Sequence, residues 1–382
     1  MTTVPLSVLD LVPITSGSSP AEALRNTIDL AQRAEALGYR RYWLAEHHLN
    51  PGVAGTSPVI EVALIAGATR TIRVGSGGVQ SGHRTALSVV EEFGLIDIMY
   101  PGRLDLGVGR SGGRNFSSDR YADAAPDRQP VGVSTAAGGP GTQDRGLVIP
   151  PRPPRPRRSA RLALNSLLLQ QPGAEPTTYT ELIHDILALL HGTYRSPDGL
   201  DAHAVPGEGA RVEVWILGSS AGESATVAGE CGLRFAANYH VSPATVLEAV
   251  EGYRKAFRPS AELDHPYLAV SADVVVAEDD ETARRLAAGY GPWVWSIRSG
   301  EGAIEFPTPE EAARHVWKDE EWAYVADRVE TQLVGSPATV ARQLRQLQEA
   351  TAADELIITT ITHDHADRVR SYELLAREWA SQ

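Results

Sequence analysis

Helix-like and strand-like stretches alternate along this 382-residue chain with the same punctuation at each junction, which restricts the fold to parallel α/β architectures. Ser19-Pro20, Ser57-Pro58, Ser242-Pro243 and Ser336-Pro337 each set an N-cap hydroxyl before a proline at the first helical position, where its missing N–H costs nothing. Each pair predicts a helix start. After the first, Glu22 holds the capping-box position, and Leu24, Ile28, Ala31 and Ala34 recur at helical spacing until Gly38 supplies a left-handed stop. The buried-strand sequence RRYWLAEHH follows. The unit recurs where helix 221–231 closes at Gly232 before LRFAANYH, and where helix 337–349 runs into DELIITTITH. These three strands end in His47, His240 and His363.

Apolar strand candidates lie at 6–9, 41–45, 72–77, 103–109, 212–217, 233–238, 268–276 and 355–361. Helical stretches at 20–37, 57–69, 85–99, 221–231, 243–257, 279–298 and 366–380 follow most of them, the order of a TIM (β/α)8 barrel. An open doubly wound sheet fits less well, because no G-x-G-x-x-G follows the first strand and polar residues occupy nearly every strand end. A barrel takes about 250 residues, so roughly 130 belong to insertions, after strand 4 and after strand 7. The single domain expected over 1–382 thus carries an insertion region at 111–210, whose Gly, Ser and Pro give way to PPRPPRPRRSAR, read as an extended solvated loop. The second insertion, 299–334, holds Trp317 and Trp322 and is expected to cover the barrel mouth as a lid.

Forty-eight acidic residues against 35 basic leave a net charge of −13, which argues against general attraction to nucleic acid or an anionic membrane. Any anion site must be local. No run reaches the roughly 18 to 20 apolar residues of a membrane span, and MTTVPLSVLD has no signal-like leader, so the protein is read as cytoplasmic. The single cysteine, Cys231, reads as a small buried residue.

In a TIM barrel the chemistry sits at the C-terminal strand ends. Gly218, Ser219 and Ser220 lie between a strand and a helix, where backbone N–H groups and the helix dipole suit a phosphate and an ordinary N-cap serine suits equally. Arg110, at the neighbouring strand end, adds a guanidinium able to grip phosphate oxygens, and together they point to a phosphate-bearing cofactor. Gly75-Ser76-Gly77-Gly78 marks a strand kink or the approach of a flat ring. His47 and His48 are adjacent, so a continued pleat turns only one into the mouth, to act as a general acid or base. His363-Asp364-His365 has the outline of a metal site, but the lysine or further acids of metal hydrolase barrels are missing, and no metal is expected.

These blocks resemble the bacterial luciferase-like, flavin-dependent monooxygenases: PLSVLD, GYRRYWLAEHH, IRVGSGGVQSGH, EEFGLIDIMYPGRLDLGVGR, WILGSS and LVGSPATVARQL, in order over 1–113 and 210–380. The resemblance implies an enzyme that takes reduced FMN from a separate flavin reductase and oxidises a small organic substrate with O2 through a flavin hydroperoxide. It makes His47 the catalytic histidine, with a pKa near neutral, and Gly77-Gly78 the flavin-bearing bulge, a place where the family often has a non-prolyl cis peptide. Arg110, Gly218, Ser219 and Ser220 become the phosphate site. Homodimers in the family form through the helices after the second and third strands, here 57–69 and 85–99, both apolar on more than one face. Two departures stand out: Gln80-Ser81-Gly82-His83-Arg84 replaces the usual Leu-Pro, and Gly218 stands near an acidic residue of the luciferase. Relatives on the same fold also use a deazaflavin for hydride transfer, and a flavin-binding homologue without turnover is a third reading.

Overall fold

The computed structural model describes residues 3–110, 142–144, 146–154, 160–170, 173–174 and 177–381. Eight parallel strands close into the expected TIM barrel: β1 (Leu6–Asp10), β2 (Arg41–Leu44), β3 (Arg73–Ser76), β4 (Leu104–Gly109), β5 (Glu213–Gly218), β6 (Arg234–Asn238), β7 (Leu268–Val276) and β8 (Glu355–Thr359). Neighbours in sequence pair in space, and β8 returns to β1 with Leu356 opposite Leu6. The outer ring is α1 (Pro20–Ala36), α2 (Pro58–Ala68), α3 (Ala86–Met99), α4 (Tyr179–Leu190), α5 (Glu223–Glu230), α6 (Val246–Ala256), α7 (Pro337–Thr351) and α8 (His365–Ala380).

Side chains alternate across each strand, so one apolar run serves two cores. Tyr42 and Leu44 pack outward beneath the helices, while Trp43 points inward and meets Trp215 edge-on with ring centroids 5.0 Å apart. One inward step below, Arg41 is completely buried and plugs the N-terminal end of the barrel. Its Nε donates to Glu355 at 2.7 Å, and Nη1 donates to Asp105 at 2.8 Å and Glu213 at 3.1 Å. Three carboxylates offset the cost of burying this guanidinium, although its Nη2 is buried without a partner. This network closes the barrel floor, and the largest of the described cavities lies at the C-terminal mouth.

Proline opens α1, α2 and α7 as the Ser-Pro pairs predict, but of the four serines only Ser19 caps, accepting from Glu22 N. At α2 and α7 carboxylates do the work: Glu61 accepts from Ser57 N, and Asp280 from Ser336 N. Ser242-Pro243 opens a 3-10 turn, with α6 starting at Val246, and the helix expected over 279–298 breaks at a second 3-10 turn, Ala287–Gly289.

Both predicted insertions are present. The one after β4 is not wholly loop: a hairpin, Thr142–Asp144 with Leu147–Ile149, and the helix Ala160–Leu169 fall within it. Residues 111–141, and 155–159 of the Pro/Arg-rich run, lie outside the described residues. After β7 come the helices Asp280–Leu286, Tyr290–Arg298 and Asp319–Val329, then a short strand, Leu333–Gly335, beside the end of β7. Tyr290, Trp293, Phe306 and Val325 of this segment share one buried cluster with Leu9, Trp43 and Trp215 of the barrel interior. No helix among the described residues is long and apolar enough to cross a membrane.

Candidate active site

Beyond Leu44 the pleat stops. Ala45 N still donates to Asp10 O, but His47 N turns to Gly55 O at 2.8 Å, so His47 and His48 both line the mouth instead of facing opposite ways. The cavity there measures about 430 Å3 and is walled by Leu9, Leu11, Val53, Trp293 and Ile297 together with polar groups. His47 Nδ1 is buried without a hydrogen-bond partner. Burial, reinforced by neighbouring His48, holds the His47 pKa down at about 4, well below the near-neutral value expected from sequence. His240 joins it as a second neutral imidazole: its Nδ1 lies 2.6 Å from Ser271 Oγ, and burial and then Arg328 push its pKa down to about 3.

Glu46 organises the departure from the family pattern. Its Oε1 sits 2.9 Å from His48 Nε2 and 3.0 Å from His83 Nε2, while Oε2 accepts from Gln80 N at 2.7 Å. Gln80 Nε2 in turn donates to Glu46 O. Burial alone would raise this carboxyl, but the hydrogen bonds from His48 and His83 carry it down to about 2. Sequence reading missed this network, since nothing in the spacing of Glu46 and His83 announces that the 3-10 turn Ser81–His83 folds back. Glu46, His48 and His83 bring their donor atoms within 4.8 Å of one another, yet the Arg84 guanidinium, 3.7 Å from the same oxygen, opposes a cation there.

The phosphate candidates converge. Arg110, Gly218, Ser219, Ser220 and Gly222 surround a second, more polar cavity of about 220 Å3, whose walls share Gly77, Gly78 and Asn238 with the larger one. α5 begins beside it with Gly222 as an N-cap that makes no side-chain hydrogen bond. Its first amides are thus free of a side-chain cap. Arg110 Nη1 meets Glu223 Oε2 at 3.2 Å, a half-exposed pair that an anion of higher charge can displace. The Gly77–Gly78 peptide is cis. A Cβ at Gly78 would lie 2.7 Å from the backbone oxygen of Gly107, so barrel packing demands glycine there, while one at Gly77 would press 2.6 Å from Leu9 Cδ1, a side-chain end that would have to move.

Other candidates fall away from the mouth. Asp10 is buried among Thr27, Tyr42 and Arg368 and holds β1 to the outer helices. His363 Nε2 lies 3.0 Å from Ser16 O, and His365 Nε2 lies 2.8 Å from Asp29, so the pair faces two separate partners. Cys231 is half-buried at the C-cap of α5.

Barrel and joined cavities together define a TIM barrel with a ligand-sized site at its C-terminal mouth. The sequence profile of the luciferase-like monooxygenases matches residues 4–130 and 172–354, and the chain belongs to that family. The uncharacterized protein YvbT of Bacillus subtilis (strain 168) is 35% identical over 381 residues, 99% of this chain and 97% of its own. A luciferase-like monooxygenase of Escherichia coli (strain K12) is 32% identical over 372 residues, 97% of this chain and 96% of its own. Among solved structures, apo-MsnO8 superposes with a TM-score of 0.74 at 28% identity, covering 100% of this chain and 98% of its own. The fold alone is shared with two others. The FMN-bound oxygenating constituent of the Pseudomonas putida 3,6-diketocamphane monooxygenase has a TM-score of 0.64 at 18% identity, covering 99% of each chain. The coenzyme F420-dependent tetrahydromethanopterin reductase of Methanopyrus kandleri has 0.57 at 17%, covering 99% of this chain and 98% of its own.

Proposed function

We propose that this chain is the oxygenase of a two-component monooxygenase: it takes reduced FMN from a separate flavin reductase and oxidises a small organic substrate with O2. The observation that carries the reading is the junction of the two cavities at Gly77, Gly78 and Asn238. A polar chamber with one guanidinium among its described residues opens there into a larger chamber of mixed apolar and polar walls, which fits a ligand with a phosphate at one end and a flat ring at the other.

The residues present fit FMN. Arg110 with Ser219 and Ser220 would hold the phosphate, and the side-chain-free edge at Gly77 and Gly78 would take the ring. Bound reduced FMN supplies the activation of dioxygen and the transfer of one oxygen atom. The protein supplies the rest. Trp293, Ile297 and Val53 wall the chamber and exclude water, and His47, neutral at pH 7 with Nδ1 unpaired, is placed to accept or hand over one proton.

Coenzyme F420 is the second reading, favoured by the Methanopyrus likeness. Its acidic tail calls for several cations, whereas Arg110 is the only cationic residue among the described residues lining the smaller cavity. That favours FMN. We place the protein in the cytoplasm as a homodimer joined through α2 and α3, whose outer faces expose Ile60, Leu64, Leu95, Ile98 and Met99.

Paired variants test the assignment on a substrate returned by an activity screen. His47→Ala is expected to lower turnover at least about 100-fold with FMN affinity intact. Arg110→Ala is expected to weaken FMN binding about tenfold or more while turnover at saturating FMN persists. An unchanged rate in the first removes His47 from the chemistry; unchanged FMN affinity in the second removes the phosphate site.

A further inference from the structure

Resting on the larger cavity being the substrate chamber, we propose that its substrate is an anion, an apolar body bearing a carboxylate, and that Arg161 receives the charge. Arg161 lies in the helix Ala160–Leu169 of the first insertion and forms part of the cavity wall, with Asn165 one turn further on. Its Nη2 donates to Asn50 Oδ1 at 3.3 Å, an oxygen already accepting from Ala303 N at 2.9 Å. Among the described residues its five N–H donors thus face one long bond to a shared, neutral acceptor. No carboxylate among the described residues pairs with this guanidinium, and burial alone acts on it, pulling its pKa below the ordinary arginine value.

The other arginines at the two cavities are already engaged. Arg328 contacts Tyr290 Oη at 3.1 Å and Asp273 at 3.3 Å, and Arg110 meets Glu223. Arg161 is only partly buried, so its charge is held at the cavity wall and open to the chamber, where an anionic group of a ligand can pair with it. The second insertion accommodates it: Gly302 has φ +84°, and a Cβ there would stand 2.0 Å from Arg161 Nη1. Asn165 Oδ1, buried without a partner, offers an acceptor to an N–H or O–H of the same ligand. The remaining wall is mixed, with Leu9, Leu11, Val53, Trp293 and Ile297 for an apolar body and the Glu46 carboxylate held by His48 and His83, and Arg161 does not line the phosphate-sized cavity, which separates this charge from the cofactor's tail.

Calorimetric titration of the full chain, with and without FMN, tests this with two matched probe pairs: hexanoate against hexanamide, and 3-phenylpropanoate against its amide. In at least one pair the acid is expected to bind about tenfold or more tighter than the amide, as a charge-assisted bidentate contact should. Arg161→Gln is expected to erase that preference by weakening the acid alone, and Arg161→Lys to retain most of it, with FMN affinity equal in all three proteins. Equal affinity for acid and amide in the wild type, absence of binding by all four probes, or a preference that survives Arg161→Gln overturns the proposal. So does lost FMN affinity in Arg161→Gln, which would assign the guanidinium to the cofactor. Failure of FMN to bind the wild type overturns the functional reading instead, and the titrations without FMN still decide the anion site.

Discussion

Buried titratable residues around the mouth respond to pH in opposite directions. His47 has an ordinary pKa of 6.5 and a folded one of about 4, so between those values the unfolded chain takes up a proton that the folded chain refuses. Stability therefore falls as pH drops through that window, and His240 extends the fall to about 3. Glu61 behaves oppositely. Thr56 N and Ser57 N donate to its Oε1, its Oε2 is buried unpaired, and burial pushes its pKa from 4.5 up to about 7. Its stabilising contribution is present below 4.5 and lost as pH rises through 7. Glu61→Gln keeps an oxygen for both amides and deletes the charge, so its Tm is expected to exceed that of the wild type at pH 8 and to match it at pH 5. Equal shifts at both pH values would show that ionisation of Glu61 is not involved. At this scale the strand-end residues His47, Gly77, Gly78, Arg110, Ser219 and Ser220 were legible, because a barrel delivers every strand end to one rim. Glu46 with His83, and Arg161 with Asn165, were not, since their meeting depends on a 3-10 turn and on an insertion with no periodic signal of its own.

Helices α2 and α3 show what an element's pattern conveys. Both are apolar on more than one face: α2 buries Val62 and Ile65 while leaving Ile60 63% exposed, and α3 buries Val90 and Phe93 while leaving Ile98 and Met99 66% and 68% exposed. Side chains that burial against the barrel does not need are what a two-fold interface uses. The double variant Leu95→Glu/Ile98→Glu is expected to sediment as a monomer where the wild type sediments as a dimer; a wild-type monomer, or a variant still dimeric, contradicts that interface. The eight strands and their order were readable because each apolar run is bounded by a cap or a glycine and is long enough for one strand. Helix joints were less so. Nothing in the apolar spacing of 279–298 marks the break at Ala287–Gly289, and the Ser-Pro pairs gave the start of α2 and α7 while concealing that Glu61 and Asp280 satisfy the amides there.

For the whole molecule, the sequence divides its labour by position. The barrel floor is shut by Arg41 and its carboxylates, the interior is filled by Trp43 and Trp215, and both insertions contribute walls to the one open end. The smaller cavity is lined by barrel strand ends and the start of α5, whereas insertion residues such as Trp293, Arg161 and Ala303 line only the larger one. The first set was legible in the sequence because barrel geometry constrains it, and the second was not because loops and insertions answer to the ligand. The account rests on a single ligand spanning both cavities through the Gly77–Gly78 junction. Anaerobic calorimetric titration of the wild-type chain with reduced FMN measures that directly. One FMN per chain, with an affinity reduced about tenfold or more by Arg110→Ala, is the predicted result; no heat of binding with reduced FMN, or uptake of coenzyme F420 in its place, would contradict it.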